Sequence, residues 1–329
     1  MNQPTVIVIV GPTAVGKTAA AIRLAQQLHT DIISADSRQC FTELNIGVAK
    51  PSPEELQAVP HYFINSHSIH QEVNAALFEE LALGWTKEIF QKQQSAARHQ
   101  PAIPDDPTVQ HQRAIPGGPT AIMVGGTGLY IRAFTEGLDD IPATRPGIRE
   151  QILAQYELAG LDWLQQEVKS ADPAFFEAGE IHNPQRLMRA LEVKWSTGLS
   201  ILSFRNRHPK QRPFRIERIG LQLPKEQLYQ RIHDRVDQMM AQGLLEEVKG
   251  LLPDKEENAL QTVGYRELFD YLDGKSSLPV AIEKIKTNTR HYAKRQMTWF
   301  RKDPSIQWVD AHEFNQDPLR FIPGFPQSE

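Results

Sequence analysis

The chain has 329 residues, of which 40% are hydrophobic and 23% charged, and its formal net charge at neutral pH is −4. These values are typical of a soluble globular protein with one large or two modest domains, and they exclude a protein that is basic over its whole surface. The single cysteine, Cys40, cannot form an internal disulfide, which favours a reducing compartment. No apolar run approaches the roughly 18 residues that span a bilayer, and a strand at the amino terminus leaves no room for a signal peptide. We therefore expect a cytoplasmic protein with no membrane partner.

The first predicted element is a buried strand that leads into a phosphate-binding loop. Residues 6–10 are apolar and mostly β-branched, and residues 19–28 have helical spacing of apolar side chains. Between them stand Gly11, Pro12, Thr13, Ala14, Val15, Gly16, Lys17 and Thr18. This segment matches the pattern G-x-x-x-x-G-K-[ST], in which backbone N–H groups and the helix N-terminus bind a di- or triphosphate. Lys17 is expected to reach the outer phosphates, and the Thr18 hydroxyl to ligate magnesium; the alternative is a glycine turn without a ligand.

A carboxylate follows the second predicted strand. Residues 31–35 form this strand, which ends at the run Asp36-Ser37-Arg38-Gln39. Ligands in open α/β sheets lie at the carboxyl ends of the strands, so Asp36 is expected to face the same crevice as Lys17. A carboxylate beside a phosphate site holds magnesium or acts as a general base. Alternatively, Asp36 is only the N-cap of the next segment.

The middle of the chain contains a second glycine-rich turn. Residues 41–60 are predicted to be loop, 61–64 a short strand and 74–93 a helix. Residues 91–119, rich in Gln and Pro, are predicted to be an exposed loop without catalytic content. The buried strand 121–124 then runs into Gly125-Gly126-Thr127-Gly128 and a helix. Thr127 can offer its hydroxyl and its backbone N–H to the anion that the first loop binds.

Residues 138–214 are predicted to be mostly helical. Helices are expected at 148–158, 161–169 and 184–197, the last with an asparagine N-cap and a proline at its first position. Basic residues then cluster at Arg205, Arg207, Lys210, Arg212, Arg215 and Arg218. This cluster favours contact with an RNA or DNA backbone, the alternative being a solvated surface. The sequence thus predicts a helical insertion, 138–214, in a catalytic core formed by residues 1–137 and 215–329.

The last third returns to the sheet and adds two amphipathic helices. A strand at 215–223 precedes a helix at 228–240, in which Arg231 and Arg235 share one face. Two guanidinium groups suit a polyphosphate; the alternative is surface ion pairing with Asp234 or Glu226. The helix 282–300 has an apolar side that includes Gln296 and a basic side that either contacts a tRNA-sized anion or is solvated. These elements predict an α/β fold with a P-loop NTPase-like parallel sheet flanked by helices.

Several of these segments together resemble the bacterial tRNA dimethylallyltransferases, also called tRNA isopentenyltransferases. The matching segments occur in the family's order over nearly all of the chain: 11–18, 36–39, 47–51, 125–130, 186–192, 264–267 and 293–300. Phe41 and Val48 stand where tyrosine and threonine are usual in the family. The resemblance implies transfer of a dimethylallyl group from dimethylallyl diphosphate to N6 of the adenine at tRNA position 37, next to the anticodon, in tRNAs that read codons beginning with U. It also implies that the helical insertion binds tRNA.

The resemblance further implies roles for individual residues. Residues 11–18 and Arg235 would hold the diphosphate, with Mg²⁺ at Thr18. Asp36 would be the base at the adenine amine, and Lys17, Thr127 and Arg231 would steady the leaving diphosphate. The implied tRNA contacts are Asp36, Ser37, Arg38, Gln39, Arg149, Gln185, Arg186, Leu187, Met188, Arg189, Lys294, Arg295 and Gln296.

The expected partners are therefore a tRNA, bound through its anticodon stem-loop, and dimethylallyl diphosphate, with the protein acting as a monomer. Two other interpretations of the sequence stay open. One is a P-loop nucleotide or small-molecule kinase that uses ATP. The other is a non-catalytic RNA-binding regulator with a nucleotide switch.

Overall fold

The computed structural model describes residues 3–98, 118–205 and 209–324. The chain divides into two compact units. The first, here called the sheet unit, is Met1–Glu136 with Gln211–Glu329, and the second, here called the helical unit, is Gly137–Lys210. The helical unit thus corresponds closely to the predicted insertion.

The predicted insertion, 138–214, ends a few residues too late. Arg212 and Phe214 belong to the sheet unit by their contacts. Arg212 forms an ion pair of 2.7 Å with Glu79 and also donates to the carbonyl oxygen of Phe134. The Phe214 ring packs against the rings of Phe90 and Phe134.

A parallel sheet runs through the sheet unit. Within the described ranges its strands are β1 (Thr5–Val10), β2 (Ile32–Ala35), β3 (His61–Tyr62), β4 (Thr120–Gly125), β5 (Arg215–Gln222) and β6 (Gln307–Asp310). Their order across the sheet is β3-β2-β4-β1-β5-β6, and every neighbouring pair is parallel. Strands β1, β2 and β4 are buried along nearly their whole length, which explains their almost continuous apolar sequences. The predicted α/β class with a parallel sheet is confirmed.

The helices of the described ranges follow in chain order. They are α1 (Lys17–Leu28), α2 (Pro53–Ala58), α3 (Ala75–Arg98), α4 (Gly128–Glu136), α5 (Ile148–Ala171), α6 (Pro173–Ala178), α7 (Pro184–Thr197), α8 (Lys225–Ala241), α9 (Leu244–Gly250), α10 (Tyr265–Leu272), α11 (Leu278–Phe300) and α12 (Ala311–Gln316). None of those helices has the length and apolar character needed to cross a bilayer.

Two apolar layers cover the two faces of the sheet. Because successive strand residues point to opposite faces, Val6 and Val8 pack into one layer and Ile7 and Ile9 into the other. The first layer includes buried residues of α3, α4, α10 and α11, and the second those of α1 and α12. Burial of a valine or isoleucine side chain contributes roughly 1.5–3 kcal/mol. The sheet is therefore a rigid base for the turns at its carboxyl edge.

The prediction of loop over residues 41–60 was wrong at its end, where α2 forms. Ser52 and Glu55 make a capping box: Ser52 Oγ accepts from Glu55 N at 3.2 Å, and Glu55 Oε2 accepts from Ser52 N at 2.8 Å. Pro53 occupies the first helical position, where its missing N–H costs nothing.

The predicted Gln/Pro-rich loop, 91–119, also needs correction. Its first residues continue α3 as far as Arg98. The Gln93 amide is fixed to the start of β4, donating to Thr120 O at 2.7 Å and accepting from Thr120 N at 2.8 Å. Residues 99–117 lie outside the described ranges.

The helical unit has the predicted helices. Helix α5 spans two of them, and the non-helical backbone of Gly160 (φ 71°, ψ −164°) interrupts it between them. The predicted N-cap of α7 is confirmed, since the Asn183 side chain accepts from Arg186 N at 3.3 Å. Helices α5, α6 and α7 enclose a small apolar core that contains Ile152, Leu164, Val168, Phe175, Leu187, Met188 and Leu191.

Candidate active site

The phosphate-binding loop connects β1 to α1 at the carboxyl edge of the sheet. Gly16 is the N-cap of α1 and has φ 102°, a left-handed conformation that glycine adopts without steric cost. The first turn of α1 contains no acidic residue. Its free backbone N–H groups and the helix dipole therefore present positive charge to the loop. This arrangement suits an anion.

Lys17 is held at the loop by backbone carbonyls. Its Nζ donates to Gly11 O at 3.0 Å and to Pro12 O at 2.8 Å. Burial lowers the pKa of Lys17 from 10.5 to about 7, with a smaller effect in the same direction from Arg235, while the Asp36 carboxylate opposes the shift. An anion bound here would restore the charge of Lys17.

Asp36 lies at the end of β2, close enough to Lys17 to influence that pKa. Its Oδ1 accepts from Arg38 N at 2.9 Å and from Gln39 N at 3.3 Å. Asp36 therefore does act as the cap of the segment that follows, which was the alternative to a functional role. Its Oδ2 has no hydrogen-bond partner among the described residues, and the residue lines the cavity beside Lys17. Capping by Oδ1 thus leaves Oδ2 free for a functional role, which stays a prediction.

The second glycine turn is tied to the end of β2. Gly125 lies so close to Ala35 O that a Cβ at this position would overlap it. Thr127 N donates to Ala35 O at 3.2 Å, and Thr127 Oγ1 accepts from Ser37 N at 3.0 Å. The backbone N–H of Thr127 is thus not available to an anion, contrary to the sequence-based expectation. A contact of its hydroxyl with a diphosphate remains a prediction.

Helix α8 brings two arginines to the same loop. Arg231 Nη1 donates to Val15 O at 3.4 Å, and Arg235 lines the cavity that contains Lys17. Burial lowers the pKa of Arg235, opposed by Glu55. The predicted alternative of surface ion pairs is not observed among the described residues: Asp234 accepts instead from Gln230 at 2.8 Å.

Several of these groups, though not Arg231 or Thr127, line a cavity of about 220 Å³. Its lining includes Lys17, Thr18, Asp36, Glu55, Arg235 and Tyr292. A neighbouring cavity of about 120 Å³ shares Asp36, Arg235 and Tyr292 with the first, and Val236, Met239 and Ile285 make part of its wall apolar. The site therefore joins a charged compartment to a more apolar one, with Asp36 in both.

Several residues of this site, including Glu55 and Tyr292, were not predicted from the sequence. Burial, and then the negative charge of Asp36, raises the pKa of the Tyr292 phenol. Glu55 was hidden in a predicted loop, although the spacing of Ser52 and Glu55 signals a capping box. Tyr292 lies one turn before Gln296, on the side of the helix 282–300 that was predicted to be apolar, a position that indicates burial but no function.

The predicted tRNA residue Gln39 contacts its own loop. Its Nε2 donates to Val48 O at 3.2 Å and to Ala49 O at 3.0 Å, and its Oε1 accepts from Ser34 Oγ at 3.3 Å. Gln39 thus fixes the 47–51 segment against the end of β2. The neighbouring Ser37 and Arg38 are partly exposed beside Asp36.

In the helical unit, a buried carboxylate organises two of the predicted tRNA contacts. Glu192 is 2% exposed and pairs with Arg149 at 2.7 Å and with Arg189 at 3.2 Å. Both arginine side chains stay substantially exposed, at 57% and 41%. Gln185 and Arg186 are exposed as well. The prediction needs correction for Leu187 and Met188, which are 0% and 3% exposed in the core of the helical unit and so offer no side-chain surface to RNA.

Most residues of the predicted basic cluster between 205 and 218 form ion pairs with acidic side chains. Lys210 pairs with Asp140 at 2.8 Å within the helical unit. In the sheet unit Arg212 pairs with Glu79, Arg215 with Glu217 and Arg218 with Asp303. Arg205 is exposed, and Arg207 lies outside the described ranges. Most of the charge of this cluster is thus already paired within the protein, and its contact with RNA stays a prediction.

Helix α11 separates its predicted tRNA contacts into two kinds. Lys294 and Arg295 are exposed to solvent, whereas Gln296 is 5% exposed and lines the cavity that contains Lys17 and Asp36. The apolar side predicted from the sequence already included Gln296. Gln296 therefore offers no surface to the RNA backbone, and a contact with tRNA at this residue stays a prediction.

Comparison with known proteins agrees with this architecture. A family profile described as IPP transferase matches residues 109–303, and one described as isopentenyl transferase matches residues 4–87. A protein of Christiangramia forsetii named tRNA dimethylallyltransferase is 44% identical over 95% of this chain and 96% of its own length. A protein of Bacteroides thetaiotaomicron named tRNA dimethylallyltransferase 1 is 42% identical over 94% of this chain and 93% of its own.

Solved structures agree as well. The crystal structure of the tRNA isopentenylpyrophosphate transferase of Bacillus halodurans is 33% identical and covers 97% of this chain and 96% of its own, with a TM-score of 0.66. A eukaryotic dimethylallyltransferase acting on tRNA is 26% identical and covers 94% of this chain and 74% of its own, with a TM-score of 0.72. The fold and site define a P-loop NTPase-like transferase. The chain belongs to the IPP transferase family, which confirms the resemblance.

The contribution of Lys17 to stability depends on pH. Its lowered pKa means that folding disfavours the protonated amine, a penalty that is complete below about pH 7 and disappears as pH rises toward 10.5. Lys17→Met removes this penalty but also loses two hydrogen bonds of about 1 kcal/mol each. We expect a net gain of about 3 kcal/mol in the free energy of unfolding at pH 6, about no gain at pH 9, where the remaining penalty only matches the two lost hydrogen bonds, and loss of inorganic diphosphate binding.

Denaturant unfolding at the two pH values and calorimetry with inorganic diphosphate test this expectation. The exposed Lys87 provides the matched control, because Lys87→Met should change neither quantity. Destabilisation of the Lys17→Met protein at both pH values would contradict the account of Lys17.

Proposed function

We propose that this member of the IPP transferase family transfers a dimethylallyl group from dimethylallyl diphosphate to N6 of the adenine at position 37 of tRNAs that read codons beginning with U, releasing diphosphate. The observation that carries the proposal is the meeting of Lys17, Arg235 and Asp36 at one cavity of about 220 Å³. Cations for a diphosphate and a carboxylate for an amine proton are the two requirements of the reaction. The names of the relatives support the choice of tRNA as the substrate.

The donor's diphosphate occupies the charged compartment. The N–H groups of the loop, Lys17, Arg231 and Arg235 meet the negative charge that develops when the C1–O bond of the donor breaks. The bond's electron pair leaves with the diphosphate. The allylic cation delocalises its own charge, so the dimethylallyl group needs mainly an apolar, oriented surface, and the neighbouring compartment of about 120 Å³ has apolar walls.

Asp36 accepts a proton from the adenine amine. The N6 lone pair forms the new bond to C1, and one N6 proton passes to the Asp36 carboxylate. The two backbone N–H groups bound to Oδ1 keep this carboxylate in a fixed orientation. A base must leave its stack to reach a carboxylate inside a cavity, as base-modifying enzymes require.

Magnesium fits the residues present. Thr18 and Glu55 supply oxygen donors to one cavity, and Mg²⁺ in phosphate sites is usually held by one or two protein oxygens together with phosphate oxygens and water. No cluster of three or more His, Cys, Asp or Glu side chains suited to a metal occurs in the described ranges, so the diphosphate itself would complete the coordination. The bound ion would neutralise charge on the leaving diphosphate.

The helical unit binds the anticodon stem-loop through its exposed arginines. Arg149 and Arg189 keep a fixed direction because both pair with the buried Glu192. Arg guanidinium groups bind phosphate oxygens bidentately, so a pre-oriented pair suits an RNA backbone. Lys294 and Arg295, exposed on α11, add two cations in the sheet unit.

The test of the proposal is an assay of prenyl transfer. The protein is incubated with Mg²⁺, dimethylallyl diphosphate and an anticodon stem-loop RNA with adenine at position 37, and the nucleosides are analysed by mass spectrometry. We expect one isopentenyl group on that adenine. Phosphate transfer from labelled ATP, with no prenylated nucleoside, would favour the kinase interpretation, and binding without turnover of either compound would favour the regulator.

Asp36→Ala should lower the rate of prenyl transfer by about a hundredfold or more, the usual contribution of a general base. Asp36→Asn is the sharper variant, because its side-chain oxygen still accepts from Arg38 N and Gln39 N while it no longer takes a proton. Single-turnover rates are measured at saturating RNA, with RNA affinity determined separately. Near-normal turnover of the Asn variant would remove Asp36 from the role of base.

Arg149→Ala and Arg189→Ala should each weaken stem-loop binding by about fivefold to tenfold and reduce the slope of log affinity against log salt by about 1 per lost phosphate contact. Diphosphate affinity should not change. The control is Arg320→Ala, which removes an exposed arginine of the sheet unit near the carboxyl end of the described residues. Unchanged salt dependence in both helical-unit variants would show that these arginines do not contact RNA phosphates.

A further inference from the structure

Gln296 is a polar side chain enclosed by the sheet unit. It lies on α11 and is 5% exposed, while its neighbours Lys294 and Arg295 are exposed. A buried amide without partners costs roughly 1–3 kcal/mol, so a glutamine at this position needs both a donor and an acceptor nearby. The structure supplies both.

The two partners of Gln296 belong to two different turns. Its Oε1 accepts from Thr13 N at 2.8 Å, and its Nε2 donates to Gly126 O at 3.0 Å. Thr13 lies in the phosphate-binding loop after β1, and Gly126 in the glycine turn after β4. A Cβ on residue 126 would overlap the Gln296 amide, which explains why glycine occupies that position.

The chain of contacts continues to Asp36. Thr127, the residue after Gly126, accepts from Ser37 N through Oγ1, and Ser37 follows Asp36 directly. The Thr127 N–H also donates to Ala35 O, the residue before Asp36. One side of the Gln296 amide thus fixes the loop that holds Lys17, and the other side fixes the turn that holds the segment of Asp36.

We propose that Gln296 is a positioning residue that sets the phosphate-binding loop relative to Asp36, and that it makes no contact with the RNA backbone. Loss of the amide would free the Thr13 N–H and the Gly126 carbonyl and let the two turns move apart. A displacement of about 1 Å at a reacting centre can lower a rate by about a hundredfold. The catalytic part of this inference rests on the proposed function, whereas the part that concerns diphosphate binding does not.

The experiment compares Gln296→Met with Lys294→Gln and Arg295→Gln. Methionine has a similar length but makes neither hydrogen bond. We expect Gln296→Met to raise the dissociation constant for inorganic diphosphate with Mg²⁺ about tenfold and to lower kcat by tenfold or more, with stem-loop affinity within twofold of the wild type. Lys294→Gln and Arg295→Gln should show the reverse pattern, weaker RNA binding with diphosphate affinity unchanged.

A Gln296→Met protein with normal diphosphate affinity and weakened RNA binding would overturn the inference. Circular dichroism establishes whether the variant folds, and if it does not, Gln296→Asn, which is too short to reach both turns, replaces it. Amide hydrogen exchange gives an independent readout: the Thr13 N–H should be protected in the wild-type protein and exchange faster in the variant. If the wild-type protein transfers no prenyl group, the proposed function fails while the diphosphate and exchange measurements still decide the role of Gln296.

Discussion

The excess of positive charge at the phosphate-binding loop is the constraint on which the site depends. Lys17, Arg231, Arg235 and the N-terminus of α1 converge where burial already lowers the pKa values of Lys17 and Arg235. Two backbone carbonyls and the Asp36 carboxylate offset part of this cost. A ligand of high negative charge removes the rest, whereas a neutral ligand leaves it in place. The class of ligand is thus set by electrostatics before any chemistry occurs.

Sheet topology determines which groups surround that charge. Strands β2, β4 and β1 are consecutive neighbours, so their carboxyl ends lie side by side. Each end leads into a turn that supplies a different group. The turn after β2 supplies the Asp36 carboxylate, the turn after β4 is glycine-rich backbone, and the turn after β1 is the phosphate-binding loop. The first two turns are joined by a backbone hydrogen bond from Thr127 N to Ala35 O and by a bond from Ser37 N to the Thr127 hydroxyl, and the Gln296 side chain joins the last two. Each link has a backbone group on at least one side, and the side chains involved are Thr127 and the buried Gln296.

Local patterns predicted most of the fold, and topology predicted the approach of Asp36 to the phosphate loop. The buried strands and the glycine loop are continuous in sequence, so their signals are strong. Predictions for individual residues failed for one of two reasons. Either the residue has a partner that is distant in the sequence, or every residue of a motif was given the same role. Arg212 looked like part of an RNA-binding patch because Glu79, its partner, is distant in the sequence. Leu187 and Met188 were grouped with their arginine neighbours, although helical periodicity turns them toward the core. For Gln296, helical periodicity correctly placed the residue on the buried side of α11, whereas the motif grouped it with the exposed Lys294 and Arg295.

A chain with a net negative charge can bind RNA through a few well-oriented basic side chains instead of a large basic surface. Most of the predicted basic cluster is neutralised within the protein, which removes a source of sequence-independent binding to any nucleic acid. The arginines that stay exposed in the helical unit lie over the buried Glu192, which cancels part of their charge but fixes where their guanidinium groups point. Phosphate contacts of this kind position an RNA without reading its sequence. Under the proposed function, selection of the adenine would fall to the cavity that contains Asp36, because only a base released from its stack would reach the carboxylate there. Affinity would then come mainly from the exposed arginines, and selectivity from the cavity.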